Sequence, residues 1–378
     1  MRAETKTAMT AAQASGDHWG LAAKACLERL GPLPEGANLG VVYVTEAFAD
    51  DLSSIVTFLR ETTPIDDWLG GVGYAVFGPE GEMREGKAMA VLAARVPPGA
   101  VRRFESFEPL ERDSFLAEHG DWLSRQGAIT ALVHGNPQEA QVAEMVAGLS
   151  ETAQAFLIGG LTATGDTPMQ VCGRVGAAGL SGALFGEEIR LATALSQGCT
   201  PIGGLHRANE VVDNVIMALD GRPALEVLKR EAGDIIARDL QKAAGYIHIA
   251  LPVAGSDNHD YVVRPLLGID PKRGWLAVGE HLVSGDTVMF VRRDANAAQK
   301  DFRRMLAGLA KRLTGETIVG GIYVSCVARG AHMFGRDGRE LEMIREALGE
   351  FPLVGFSASG EICYDRLYGF TGVLALFL

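Results

Sequence analysis

Residues 351–361 read Phe351-Pro-Leu-Val-Gly-Phe-Ser-Ala-Ser-Gly-Glu361, and the chain continues through Tyr368-Gly-Phe-Thr-Gly-Val-Leu-Ala-Leu-Phe-Leu378. An apolar run, a turn of small residues and a second apolar run predict a strand, a bend and a return strand. The same pattern stands earlier as Phe156-Leu-Ile-Gly-Gly-Leu-Thr-Ala-Thr-Gly-Asp166, followed by Gly179-Leu-Ser-Gly-Ala-Leu-Phe185. The two eleven-residue blocks align without a gap, placing Gly160 on Gly355, Thr162 on Ser357 and Asp166 on Glu361. A looser third copy runs from Trp68 to Phe77 and returns through residues 86–94. Each copy follows a β-rich run (residues 40–45, 128–134 and 321–326) and a helical pattern with apolar residues three and four apart, such as Leu52, Ile55, Val56 and Leu59. The chain is therefore expected to use a strand, helix and hairpin unit three times.

The 378 residues suffice for two domains with real cores, and 47% hydrophobic with 22% charged residues is a soluble globular composition. No apolar run approaches the roughly 18–20 residues that span a bilayer, and no signal-peptide core follows Met1. These features predict a cytoplasmic protein with no membrane partner. A net charge of −12 argues against nucleic acid, whose binding rests on clustered Lys and Arg. The five cysteines are odd in number and lack C-x-x-C spacing, which argues against a disulfide framework or structural zinc site.

In chain order, residues 1–17 read as a flexible N-terminus, with Asp17 capping a helix over residues 19–30. Residues 198–203 read as a turn, which puts Cys199 on a loop at a strand end. The turn Asp220-Gly-Arg-Pro223 marks a domain boundary. A β-meander follows from Tyr246, and Asp294 caps a long amphipathic helix that turns Phe302, Leu306 and Leu309 inward. The expected fold class is α/β: two modules, 18–222 and 223–378, of mixed β-sheets covered by helices and built from repeated strand-helix-hairpin units.

The segments Arg190-Leu-Ala-Thr-Ala-Leu-Ser-Gln-Gly-Cys-Thr-Pro-Ile-Gly203, Asn214 to Leu225, Tyr261 to Asp270, Ser325-Cys-Val-Ala-Arg-Gly330 and Pro352 to Ile362 occur in an order that resembles the FIST family of paired N-terminal and C-terminal sensory modules. The resemblance implies a small-ligand sensor, with amino acids the usual ligands, that signals to an output domain. In this chain the output would be a separate signalling protein. Some members of the family are haem proteins that respond to nitric oxide.

Arg329 and Glu361 are the preferred constellation, because a guanidinium and a carboxylate at one sheet end suit the two charges of an amino acid. Cys326 lies in the same segment as Arg329; Ser357 and Ser359 could add hydroxyl contacts, and Arg264 a second cation. The plainer reading is that Arg329 and Glu361 pair with each other. The Cys199 turn is expected to approach them from the other module, with ligand between the modules. The alternatives are an enzyme acting on a small metabolite through Cys199 or Glu361, and a haem sensor with His206 or His332 as axial ligand. The segment Gly81-Glu-Met-Arg-Glu-Gly-Lys-Ala88 nearly matches a phosphate loop, but Ala88 lacks the hydroxyl that holds magnesium and no helix follows. No cofactor is otherwise implied, and the expected activity is binding rather than catalysis.

Overall fold

The three β-rich runs carry branched and aromatic side chains that pack well on a pleated surface, and in the computed structural model they are the strands Leu39–Thr45, Ile129–Gly135 and Gly320–Cys326. The structure describes residues 6–107, 112–165, 169–177, 179–233, 246–253 and 260–378. After each run comes a helix, Leu52–Thr62, Val142–Ala153 or Arg339–Leu348. A second strand then lies parallel to the first: Trp68–Gly73, Ala155–Leu161 or Leu353–Ala358. A return strand pairs antiparallel on the other side of the first, as Ala88–Arg95, Leu180–Phe185 or Gly372–Phe377. Each sheet gains an outer strand against the return strand: Ala8–Ser15, Val101–Phe107 or Leu191–Ser196. The fold is thus mixed α/β, and the repeat is used three times.

Between its second and return strands each repeat sends out a hairpin that pairs into the sheet of a different repeat. Val76 and Phe77 of the first pair with the third, Gln170–Cys172 of the second with the first, and Gly360–Tyr364 of the third with the second. Backbone hydrogen bonds close the same cycle: Ala163 N–H to Val72 O at 2.8 Å, Ser359 N–H to Leu161 O at 3.1 Å and Tyr74 N–H to Ser357 O at 3.0 Å. The repeats are therefore related by an approximate threefold, and none can complete its sheet without another.

This cycle corrects the gapless alignment by one residue. Gly70, Gly159 and Gly355 oppose Val42, Val133 and Tyr323 across the parallel pairs. A Cβ at these glycines would lie 1.8, 1.9 and 1.7 Å from the opposing carbonyl oxygen. Gly159, not Gly160, is the equivalent of Gly355, and Glu361 corresponds to Gln170, since both pair with the residue following that glycine.

The chain divides into two compact bodies, Met1–Ser196 with Phe302–Leu378, and Gln197–Asp301. The first contains all three repeats. The second is a seven-stranded sheet formed by Cys199–Val212, Thr287–Arg293, Ile247–Pro252, Tyr261–Asp270, Trp275–Val278, Val215–Leu219 and Arg222–Pro223. Helix Ala224–Ala232 packs Leu225 and Leu228 onto its core of Ile216, Ile249, Leu276 and Phe290. This division falls in sequence at 196/197 and 301/302.

Three local readings change. Ala8–Ser15, within the segment read as flexible, is an outer strand whose Ala12 and Ala14 are buried; its small side chains give little strand signal but pack against the equally Ala-rich strand Ala88–Arg95. The first helix is capped by His18, whose Nδ1 accepts from Gly20 N–H, and not by Asp17. Cys199 opens a fourteen-residue strand that also holds His206, so neither sits on a loop. The Asp294 cap does form, with Oδ1 accepting from Ala297 N–H at 3.0 Å.

Candidate functional site

In open α/β sheets ligands collect beyond the carboxyl ends of parallel strands, and three such pairs meet around the threefold. The repeats differ most on the face that each sheet turns to its own helices. The first two fill it with Val42, Val44 and Val72, and with Val133 and Leu161. At the corresponding places the third has Tyr323, Ser325 and Ser357, all buried. Its helix Arg339–Leu348 supplies a buried carboxylate, Glu340, that satisfies the first two. Tyr323 O–H donates to Glu340 Oε1 at 2.6 Å and Ser325 O–H to Oε2 at 3.0 Å.

Arg329 completes this network. It is 1% exposed, and its Nε and Nη2 donate to Glu340 Oε1 at 2.9 and 2.7 Å. Its other protons reach Ser196 O, Ser196 Oγ and Phe370 O, and the guanidinium lies 4.9 Å from the Phe334 ring centre. Burial alone would lower its pKa, but the Glu340 carboxylate more than offsets this and the pKa is raised. Every guanidinium nitrogen is already engaged. Arg329 is therefore a structural cation, paired with Glu340 and not Glu361, and it does not offer a fork to a ligand carboxylate.

Glu361 is the group left unsatisfied. It is fully buried; Thr371 N–H and O–H donate to its Oε2 at 3.0 and 2.7 Å, while Oε1 has no partner among the described residues. Burial pushes its pKa up to about 8, against the opposing pull of the Thr371 bonds, the Arg329 charge and a weaker bond from the Cys326 thiol. The Cys326 thiol lies beside the carboxyl, and burial followed by the Glu361 charge pushes that thiol well up. A protonated, buried thiol is a poor nucleophile. Of the residues read from sequence, Cys326, Arg329 and Glu361 do gather at one sheet end. Ser357 points instead into the helix-facing core, where its hydroxyl has no partner among the described residues.

Ser359 belongs to a hydroxyl cluster at the threefold, two residues before Glu361. Its Oγ donates to Thr162 O at 2.7 Å and lies 3.3 Å from Tyr74 Oη; Tyr74 also accepts from Thr164 N–H at 3.1 Å. Tyr74, Thr162 and Ser359 come from three different repeats. Sequence reasoning missed Tyr74, Thr162, Thr371 and Glu340, since only the strand exchange brings the first two to Glu361's neighbourhood and only the local hairpin brings the third. Glu340 carried one signal: a Glu in the first turn of an amphipathic helix, at a place where the other repeats are apolar.

A carboxyl whose pKa is near 8 when folded and near 4.5 when unfolded binds its proton more tightly in the native state. Its contribution is full below about pH 4.5 and is lost as pH rises toward 8, at up to about 1.4 kcal/mol per pH unit. Glu361→Gln should remove this slope, so that the variant gains on the wild type between pH 5 and 8. Urea titrations at several pH values read it directly, and parallel curves for the two proteins would refute a neutral buried Glu361.

Cys199 and Arg264 belong to the second body. Cys199 is buried, and its carbonyl accepts from Tyr261 O–H at 2.6 Å. Arg264 Nε donates to Glu280 Oε2 at 2.6 Å. For haem, His206 has Nδ1 2.7 Å from Asp220 Oδ2 and Nε2 buried 3.8 Å from Glu231 Oε1. The imidazole thus lies between two carboxylates in the core of the second body, bonded through Nδ1 to Asp220. His332 is exposed in the single turn Ala331–Phe334. Among the described residues no group of three or more His, Cys, Asp or Glu is placed to hold a metal, and no helix is long and apolar enough to cross a membrane.

Two proteins of Mycobacterium tuberculosis, both described as uncharacterized, are 38% identical over 200 residues, covering 49% of this chain and 50% of each relative. An uncharacterized protein of Mycobacterium bovis is 36% identical over 198 residues, covering 49% of this chain and 50% of the relative. The chain thus spans about half the length of the curated relatives it matches. Residues 38–222 match the FIST N domain and residues 224–364 the FIST C domain. With both domains matched in order over most of its length, the chain belongs to the FIST family.

Proposed function

We propose that this chain is a sensor of a small amine-bearing carboxylate, an amino acid or a close relative, and that Glu361 receives the ligand's ammonium group. FIST domains are in general sensory and signal-transduction domains, which supports the sensory part. The ligand part rests on one observation: the fully buried carboxyl of Glu361, with Oε1 lacking a partner among the described residues, at the carboxyl ends of the parallel strands. A buried polar atom without a hydrogen bond costs about 1–3 kcal/mol, and a ligand donor would recover that cost. The hydroxyls of Tyr74, Thr164 and Ser359 are acceptors and donors that can turn toward the ligand's other polar groups. With Arg329 committed to Glu340, the ligand carboxylate would rely on these neutral donors, not on a guanidinium. Signal output would pass to a separate protein.

The test is a thermal-shift screen of wild type and Glu361→Gln against the twenty amino acids and their decarboxylated and deaminated analogues. At about a hundred times its Kd a ligand adds roughly 2.7 kcal/mol of stability. A hit that needs the amino group and disappears in Glu361→Gln supports the reading; a hit that survives the substitution overturns Glu361 as the receptor group.

A further inference from the structure

A cleft of about 580 Å³ beside Arg102 and His119 has its arginines already met by Asp67 and Glu118. An unmatched surface lies instead in the second body. That body holds under a third of the chain but five of the nine large hydrophobic side chains that stand exposed among the described residues: Leu205, Val212, Tyr246, Leu267 and Val283. Single apolar residues on a surface are ordinary, whereas a contiguous group marks an interface.

Strand pairing makes part of this group contiguous. The sheet of the second body closes on itself, because Cys199–Val212 pairs with Thr287–Arg293 and also with Val215–Leu219. Each strand therefore turns one row of side chains to the core and the other outward. Val211, Ile216, Leu276 and Ile269 form an inward row across four strands, and Val212, Val215, Ala277 and Gly268 form the outward row beside it. A bulge between Leu266 and Gly268 adds Leu267 to the outward row, 61% exposed, and half-buried Trp275 stands two residues along from Ala277.

The two ends of this strip differ in charge. At the Trp275 end stand Arg222, Lys272 and Arg273, all exposed and in no ion pair with a described residue; the Arg273 guanidinium lies 4.9 Å from the Trp275 ring centre. Against these three cations stand Glu226, in the helix that follows Arg222, and Asp270, whose Oδ1 accepts from the N–H groups of Lys272 and Arg273 at 2.9 and 3.0 Å. This end is left net positive. At the other end, where the chain turns from Val212 to Val215, Glu210 and Asp213 are exposed and in no ion pair with a described residue. An apolar strip with cations at one end and carboxylates at the other is complementary to itself after a half-turn.

We propose that this face is the contact between two copies of the chain, joined about a twofold axis so that the strip packs on itself. The Lys272 and Arg273 end of each copy then meets the Glu210 and Asp213 end of the other. A second copy fits because both charge signs that the contact needs stand on the one face.

The test is the oligomeric state of the full chain by sedimentation equilibrium, read together with two double variants. The wild type should be a dimer at about 10 µM and above. Lys272→Glu with Arg273→Glu makes both ends acidic. Glu210→Lys with Asp213→Asn makes both ends cationic, and Asn keeps the positive φ of 52° that Asp213 adopts. Each variant alone should have its dimer Kd raised by at least about a hundredfold, since like charges then face each other. Mixed in equal amounts, the two variants should associate as a heterodimer, an outcome that damaged folds would not give. Leu267→Ser should weaken the wild-type dimer by about tenfold. The proposal is overturned if the wild type stays monomeric up to about 100 µM, if either double variant dimerises as well as the wild type, or if the mixture does not associate.

Discussion

Arg329→Ala is expected to destabilise the protein by about 3–5 kcal/mol, because it strands the Glu340 carboxylate in a core that excludes water. Glu340 is 8% exposed and receives Tyr323, Ser325 and Arg329 together, so no other cation can replace the lost one locally. The effect should appear as a lower denaturation midpoint, with ligand binding lost only to the extent that the fold is lost. The third repeat itself suggests the rescue. Its two relatives fill the same face with aliphatic side chains, so Arg329→Met combined with Glu340→Leu should restore much of the loss, as exchanging a buried ion pair for packed apolar groups often does. An Arg329→Ala protein of unchanged stability would mean that the guanidinium is free for a ligand, as the sequence suggested.

Gly159→Ala and Gly355→Ala should each be more damaging still. The new methyl group would sit 1.9 Å from Val133 O or 1.7 Å from Tyr323 O, both backbone atoms of the neighbouring parallel strand that cannot rotate away. Gly159 also has φ +141°, which strains any other residue. The loss should exceed about 4 kcal/mol, beyond the range of ordinary substitutions, and is measured as insoluble or protease-sensitive product. A methyl group at Gly308, in helix Ala295–Arg312 with nothing within 4 Å, is the control and should be neutral or stabilising by about 0.5–1 kcal/mol. Normal yields of Gly159→Ala would contradict the register of Ala155–Leu161 against Ile129–Gly135.

The repeat was legible because its signal is local: apolar periods and small-residue turns survive in the linear sequence. Its exact phase was not. Two consecutive glycines, Gly159 and Gly160, make alignments one residue apart equally attractive, and only the opposing carbonyl distinguishes them. The hairpin exchange was invisible for a related reason, since Gln170 and Val76 pair with strands about a hundred or more positions away. Arg329 and Glu361 were placed at the correct sheet end, yet their partners depended on Glu340 and Thr371, which no spacing rule connects to them. Composition also hid the strand Ala8–Ser15, because alanine packs there through its smallness and not through β propensity. The cleft at Arg102 and His119 left no motif; it arises between an outer strand and the helix Arg112–Leu123.

The most direct measurement of the sensor reading is the number of protons exchanged when an amino acid found by thermal shift binds at pH 7, from calorimetry in buffers of different ionisation enthalpy. Glu361 carries its proton at that pH, and an ammonium group arriving at its carboxyl must displace it. Release of close to one proton per ligand, falling to none above about pH 9 and absent in Glu361→Gln, is the predicted result. Binding of the same ligand with no net proton exchange at pH 7 would contradict it.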